Sequence, residues 1–244
     1  ARMFSFDEGL QVLPDALAAK LGDSLKLNSR VIKLAQTENG WRVSAPNGEA
    51  EFAVVIYCGT AYKLAELLIE SPAKINLSPF SEIRYAPVAS VVLGFRREDV
   101  AHPLDGFGML IPKIENFKIL GSIFSSSLFP NRAPGNTVVL TTYIGGERNP
   151  EFTLKSPDEL VAMAREDLRT LLGVTGEPVF RNVALYSQAI PQYNVGYGKF
   201  KGLMNEIEST ARGLFFAGHY RDGVSLGDSI VSGCNAAEKI SSFA

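Results

Sequence analysis

The chain has 244 residues, a formal net charge of -2, 20% charged and 46% hydrophobic side chains. This composition excludes a disordered chain, supports a sizeable core, and at this length fits one or two domains. No basic stripe points to nucleic acid, Arg96-Arg97 being the only adjacent basic pair, and no uninterrupted apolar run of about 18 residues could span a bilayer.

The opening is abrupt and reads as the interior of a longer design. Phe4 and Phe6 lead into Gly9-Leu10-Gln11-Val12-Leu13-Pro14, with Pro14 expected as the first residue of a helix reaching about Leu21. Three strand-like runs follow. Val31 to Gln36 ends at the hairpin signal Glu38-Asn39-Gly40, and Trp41 to Ala45 ends at the turn Pro46-Asn47-Gly48. Phe52 to Cys58 is a continuous apolar run expected to be buried on both faces. Tyr62 to Ile69 then has helical spacing through Leu64, Leu67 and Leu68.

The middle is rich in strands: Val88 to Phe95, Ile119 to Phe124 and Thr137 to Ile144, separated by turns such as Gly106-Phe107-Gly108 and Gly145-Gly146. Ser156-Pro157-Asp158-Glu159 starts a helix, with Ser156 as its cap, and Gly173 stops it. A strand from Val179 to Tyr186 is next. Near the end, Gly213 to Ala217 is a short apolar strand and Gly218 to Gly223 a polar loop. A helix then starts near Val224, with an expected buried stripe of Leu226, Ile230, Gly233/Cys234, Ala237 and Ile240. Cys58 and Cys234 read as small buried hydrophobes in a reducing cytoplasm; with His102 and His219 they have no zinc-site spacing.

The stretch from Gly213 to Asp228 carries the chemical signal. A strand ends at Gly218, the loop ends at Gly223, and a helix begins at once. The first amides of a helix lack internal partners and carry the positive end of its dipole, so they suit a phosphate or an electron-rich carbonyl. An amide pair at Gly223 and Val224 would suit the flavin edge that gains negative charge on reduction, with Gly223 allowing close approach. Many strand–glycine–helix turns bind nothing, and on spacing alone His219 reads as a loop histidine.

The same stretch resembles the carboxy-terminal flavin motif of the FAD-containing amine oxidase superfamily, and the likeness narrows to its protoporphyrinogen oxidases. The blocks Gly106-Phe107-Gly108-Met109-Leu110-Ile111-Pro112, Ile119 to Ser126, Phe129 to Pro134, Gly145 to Asn149 and Ala189-Ile190-Pro191-Gln192-Tyr193 are similar to consecutive blocks of that family, in order along nearly the whole chain. The resemblance implies a mixed α/β (α+β) fold: part of a Rossmann-like FAD-binding layer plus a strand-rich substrate-binding domain of the p-hydroxybenzoate hydroxylase/amine oxidase type. The expected division is 1–75 with 205–244 for FAD, and 76–204 for substrate.

It also implies FAD as cofactor and oxidation of protoporphyrinogen IX or coproporphyrinogen III to the porphyrin, with O2 as acceptor, in heme or chlorophyll biosynthesis. Val31 corresponds to the position meeting the adenine end of FAD. Gly218, Gly223, Val224, Ser225 and Leu226 match the segment at the ring and ribityl portion. Phe107, Gly108, Leu110, Leu120 and Tyr143 match the porphyrinogen pocket, although Phe107, Leu110, Leu120 and Tyr143 read as core on packing grounds alone. No catalytic acid–base pair and no metal site is expected.

The family's opening βαβ unit with Gly-x-Gly-x-x-Gly, its helical membrane-facing insertion and an arginine near the substrate carboxylate have no counterpart in these 244 residues. Elements that would pack against that unit are therefore expected to expose an apolar face, favouring a homodimer or a partner segment. The expected location is the cytoplasm, with peripheral contact to the inner membrane. Two other readings stay open: a different flavin-dependent amine oxidase or desaturase relative, and a non-catalytic tetrapyrrole-binding module.

Overall fold

The computed structural model describes residues 4–243. Its elements fall into two compact units: Ala1–Gly22 with Ala86–Ile190, and Asp23–Tyr85 with Pro191–Ala244. Helix α1 (Val12–Leu21) comes first, and Pro14 is its third residue rather than its first. Strands β1 (Lys33–Thr37), β2 (Gly40–Ala45) and β3 (Gly48–Phe52) form an antiparallel meander, as the two turn signals require. The expected run from Phe52 to Cys58 does not form one strand. Phe52 closes β3, and Val55–Tyr57 forms β4 in a different sheet, with Ile56 and Cys58 exposed.

The helix expected from Tyr62 to Ile69 is a single turn, α2 (Ala61–Leu64). Leu68–Glu70 becomes β5, which pairs in parallel with β1. Its leucine spacing reads as helical only while the partner strand is unknown.

The strand-rich unit holds β6 (Tyr85–Arg96), β7 (Gly108–Leu110), β8 (Ile119–Ile123), the short α3 (Ser125–Leu128), β9 (Thr137–Gly145), α4 (Pro157–Leu172) and β10 (Phe180–Pro191). Its sheet order is β10-β6-β9-β8-β7. α4 is capped by Ser156 as expected, Glu159 completes a reciprocal capping box, and the helix stops at Gly173 in the left-handed conformation. Its apolar stripe (Leu160, Val161, Ala164, Leu168) joins Val91, Leu93, Leu140 and Ile144 in one core.

Asp167 sits in that buried stripe, 6% exposed. Its carboxylate accepts the Lys118 and Ile119 amides at 2.7 and 2.9 Å, which fixes the start of β8 against α4.

The remaining unit is completed by α5 (Gly198–Thr210), β11 (Leu214–Phe216) and α6 (Leu226–Phe243). β11 pairs in parallel with β4. α5 has no counterpart in the sequence reading, because its opening Gly196-Tyr197-Gly198 looks like a loop. Phe200, Met204 and Ile207 nevertheless bury one face of it.

The compact units change over at 22/23, 85/86 and 190/191. The opening segment joins the strand-rich unit because the Arg132 guanidinium donates to Ser5 and to the Phe6 and Asp7 carbonyls. α6 turns Ser232 and Ala236 inward, while the expected stripe residues Leu226, Ile230, Cys234 and Ala237 are exposed. No helix among the described residues is long and apolar enough to cross a membrane.

Asp167→Leu leaves two buried amides without acceptors. It should lower the urea-unfolding free energy by about 2–4 kcal/mol with the denaturant slope unchanged. A loss below ~0.5 kcal/mol would show that the turn into β8 is held by something else.

Candidate functional site

The strand–loop–helix stretch is built on buried polar contacts. β11 is fully buried and runs into Gly218, whose φ of 116° lies in the region that favours glycine. The Gly218 amide donates to Ser232 Oγ at 2.8 Å, and the Ser232 hydroxyl donates to Asp222. The Gly218 carbonyl accepts the Arg221 and Asp222 amides. The loop therefore closes on itself and is tied to α6 through a serine that is 1% exposed.

Arg221 anchors the loop from the other side. Its guanidinium donates to both carboxylate oxygens of Glu208 and, at 3.0 Å, to Asn205 Oδ1. The two ionic side chains are 10% and 11% exposed. Glu208 also accepts the Phe216 amide of β11 at 3.0 Å and lies 3.4 Å from Lys239 Nζ of α6. One carboxylate on α5 thus joins β11, the loop and α6.

The start of α6 differs from the expectation. Ser225 Oγ accepts the Asp228 amide at 3.0 Å, and the Asp228 carboxylate accepts the Ser225 amide at 3.1 Å. This is a capping box with aspartate in the third helical position, legible as Ser-x-x-Asp. A Cβ on Gly223 would meet the Asp228 carboxylate at 2.5 Å, and its φ is 137°. The protein's own cap therefore demands glycine here, whatever approaches from outside.

Burial raises the Tyr193 phenol, and the nearby Gly223 amide acts in the opposite direction. Among the described residues, the amides of Val224, Leu226 and Gly227 at the head of α6 have no hydrogen-bond partner, and neither do those of His219, Tyr220 and Gly223 in the loop before it.

Aromatic side chains surround this turn. His219 meets the Tyr85 ring edge-on at 5.7 Å, and burial lowers its affinity for a proton. Tyr85 accepts the Ala61 amide, and burial raises its phenol to about 12. Burial likewise raises Tyr57, Tyr197 and Tyr220. None of these tyrosines was singled out by the sequence. Tyr193 stood only inside a matched block, and its spacing to Tyr197 carried no role.

Val31 belongs to the same unit as the turn. With Ile32, Val55, Ile56, Tyr57 and Cys58 it lines a groove of about 730 Å³, with Arg30, Lys63 and Glu66 also at its walls. The groove is apolar with a few charged groups, the usual character of a small-molecule site. Val31, Ile56, Leu68, Leu226 and Ile230 of this unit are each exposed.

The other expected residues belong to the strand-rich unit. Leu110 pairs with Gly121, Gly121 with Tyr143, and Tyr143 with Ser90, so these four form one cross-strand row. The adjacent row (Met109, Ser122, Thr142, Val91) faces the α4 core. Leu120 sits at the register shift between Ile119 and Gly121, which moves Gly121 onto the outward row. Leu110 is 90% exposed and Phe107 is 51% exposed, so neither is the core residue that packing grounds suggest. Gly108 is required by its neighbour: a Cβ there would meet the Ser122 carbonyl at 2.2 Å.

Breaking the Arg221–Glu208 pair should cost about 3–5 kcal/mol for Arg221→Met, because a buried carboxylate loses its partner. Chemical denaturation measures this; a loss below ~1 kcal/mol would mean that Lys239 and water compensate. Raised phenols add a second expectation. Their stabilisation is complete below the unfolded phenol value of about 10 and is lost as pH rises beyond it. Thermal midpoints should therefore fall steadily above about pH 10, with phenolate absorbance appearing together with unfolding.

The family model for flavin containing amine oxidoreductases matches residues 2–241. Among curated relatives, the chain is 37% identical to the mitochondrial protoporphyrinogen oxidase of Nicotiana tabacum, covering 98% of this chain and 51% of that protein. It is 26% identical to the coproporphyrinogen III oxidase of Bacillus subtilis, covering 92% and 48%. A crystal structure from Exiguobacterium sp. 255-15, provisionally named a protoporphyrinogen oxidase, superposes with a TM-score of 0.83 at 21% identity, covering 97% of this chain and 51% of that one. Reduced UDP-galactopyranose mutase gives a TM-score of 0.75 at 12% identity, covering 97% and 51%. The chain thus spans about half the length of the relatives it matches. By sequence along almost its full length and by fold, the chain belongs to the flavin-containing amine oxidoreductase family.

Proposed function

We propose that this chain is the portion of a porphyrinogen-oxidising flavoenzyme that supplies the substrate wall and one side of the FAD site. The observation that carries the reading is the ordered match over 98% of the chain to a protein named protoporphyrinogen oxidase. The weaker match to a coproporphyrinogen III oxidase keeps both porphyrinogens within the substrate class.

The residues present fit the two ends of the cofactor. The Val31 groove has room and apolar walls for an adenosine, and the unpartnered amides of Val224, Leu226 and Gly227 can donate to an electron-rich ring edge. FAD, when bound, supplies the hydride acceptor and passes the electrons to O2. In this reading the unit Asp23–Tyr85 with Pro191–Ala244 holds the cofactor, and the strand-rich unit holds the substrate.

The row of Leu110, Gly121, Tyr143 and Ser90 bears no charge, as a tetrapyrrole face requires. Gly121 keeps the row flat at its centre: a Cβ there would meet the Met109 carbonyl at 2.4 Å. Leu110, Tyr143 and Phe107 supply the apolar contact, and Leu120 shapes the bulge that puts Gly121 in register.

The exposed apolar surface around Ile56 and Leu226 supports association, either as a homodimer or with a polypeptide carrying the pyrophosphate turn. Two free cysteines fit a reducing compartment, so the proposed location is the cytoplasm, in peripheral contact with a membrane.

The test is protoporphyrin IX titration followed by quenching of its fluorescence, with and without FAD, alongside an oxygen-consumption assay. Leu110→Asp, at a position 90% exposed, should leave the unfolding midpoint unchanged. It should weaken porphyrin binding about tenfold, from a charge facing an apolar ligand. Equal affinity in the variant and wild type would remove this row from the substrate site.

A further inference from the structure

Two tyrosines that no motif explains bear on the turn at α6. Tyr193 and Tyr197 stand four residues apart, with rings stacked at 4.2 Å and 22°. The Tyr193 hydroxyl donates to the His219 carbonyl at 2.7 Å, and the Tyr197 hydroxyl donates to the carbonyl of the next residue, Tyr220. Tyr197 is 7% exposed, and Phe200 packs edge-on against its ring at 5.3 Å. Tyr220 is in turn fully buried, and its hydroxyl donates to the Tyr57 carbonyl of β4.

Two consecutive carbonyls in the middle of the loop are thus held by two phenols that hold each other. The loop closes at one end through Gly218 and Ser232 and at the other through Ser225 and Asp228. Between these ends, His219 and Tyr220 have the phenols as their carbonyl partners. The peptide joining His219 to Tyr220 has no partner at its amide, so the Tyr193 hydroxyl on its carbonyl holds its plane, and the Tyr197 hydroxyl joins the Arg221 amide in holding the next one.

We propose that Tyr193 and Tyr197 are positioning residues, a phenol clamp that holds the 218–223 turn in the one conformation from which the Val224, Leu226 and Gly227 amides stay open for a ligand. The proposal rests on the flavin reading of those amides and adds the residues that make it possible. The contribution lies in the two hydroxyls. The rings alone would pack equally well as phenylalanine.

Amide hydrogen exchange of the full chain tests this with Tyr193→Phe and Tyr197→Phe, which keep the stack and remove the donors. Each variant should exchange about fivefold faster across 219–227, the loss of roughly one hydrogen bond. Amides in α4 should exchange at the wild-type rate, which separates a local effect from global destabilisation.

Adding FAD to the wild type should slow exchange over 223–227, and the FAD concentration for half-protection should rise at least about fivefold in either variant. Wild-type exchange in both variants would overturn the clamp. So would faster exchange with an unchanged FAD midpoint, since the hydroxyls would then hold the turn without serving the ligand. If exchange quickens but FAD protects nothing in the wild type, the clamp holds and the flavin reading of this turn fails.

Discussion

A guanidinium and a carboxylate, both close to nine-tenths buried, set the local order of the carboxy-terminal elements. Glu208 projects from α5 and gathers the Phe216 amide, the Arg221 guanidinium and the Lys239 ammonium. A buried carboxylate without these partners would carry a large desolvation penalty, so the three elements that supply them must converge on it. The position of the loop between β11 and α6 follows. With Arg221 anchored, Gly218 and Ser232 fix the loop's first bend, and Ser225 with Asp228 fixes its last. The open amides at the head of α6 are what this construction leaves over.

The strand-rich unit solves a similar problem with a single charge. Asp167 lies among the apolar residues of α4 and accepts two successive amides at the start of β8. That contact precedes the register shift at Leu120 by one residue. The shift decides which face each later residue of β8 takes, because side chains alternate along a strand. Without it, Gly121 would fall on the core face and the outward row would lose its flat centre. The apolar wall proposed for a tetrapyrrole therefore depends on a carboxylate buried on the other side of the sheet.

The exposed apolar residues fit this picture in a particular way. Val55 donates its amide to Gly213, and Tyr57 accepts from Ala217, so β4 spends one edge on β11. Short parallel pairs are normally covered on both faces, yet Ile56 and Cys58 are exposed. Relatives twice as long have additional chain available to cover such a surface.

Much of the local structure was legible in the residues themselves. The Asn39-Gly40 and Asn47-Gly48 turns, the Ser156–Glu159 cap with its Gly173 stop, and the long strands of the central sheet appear where the sequence puts them, because turn and cap chemistry acts over three or four residues. The ordered blocks also identified the family, since they specify side chains one by one.

Tertiary structure decided the rest, for one physical reason: burial and pairing depend on residues far apart in the chain. Leu68 to Glu70 is a strand because β1 lies beside it, and the outward face of α6 is apolar while serine occupies the inward one. Gly223 is glycine for the sake of Asp228, and Tyr193 and Tyr197 acquire a role only when the loop 26 residues on from Tyr193 brings its carbonyls to them. The sequence states which groups can donate and accept; only the folded chain decides which of them meet.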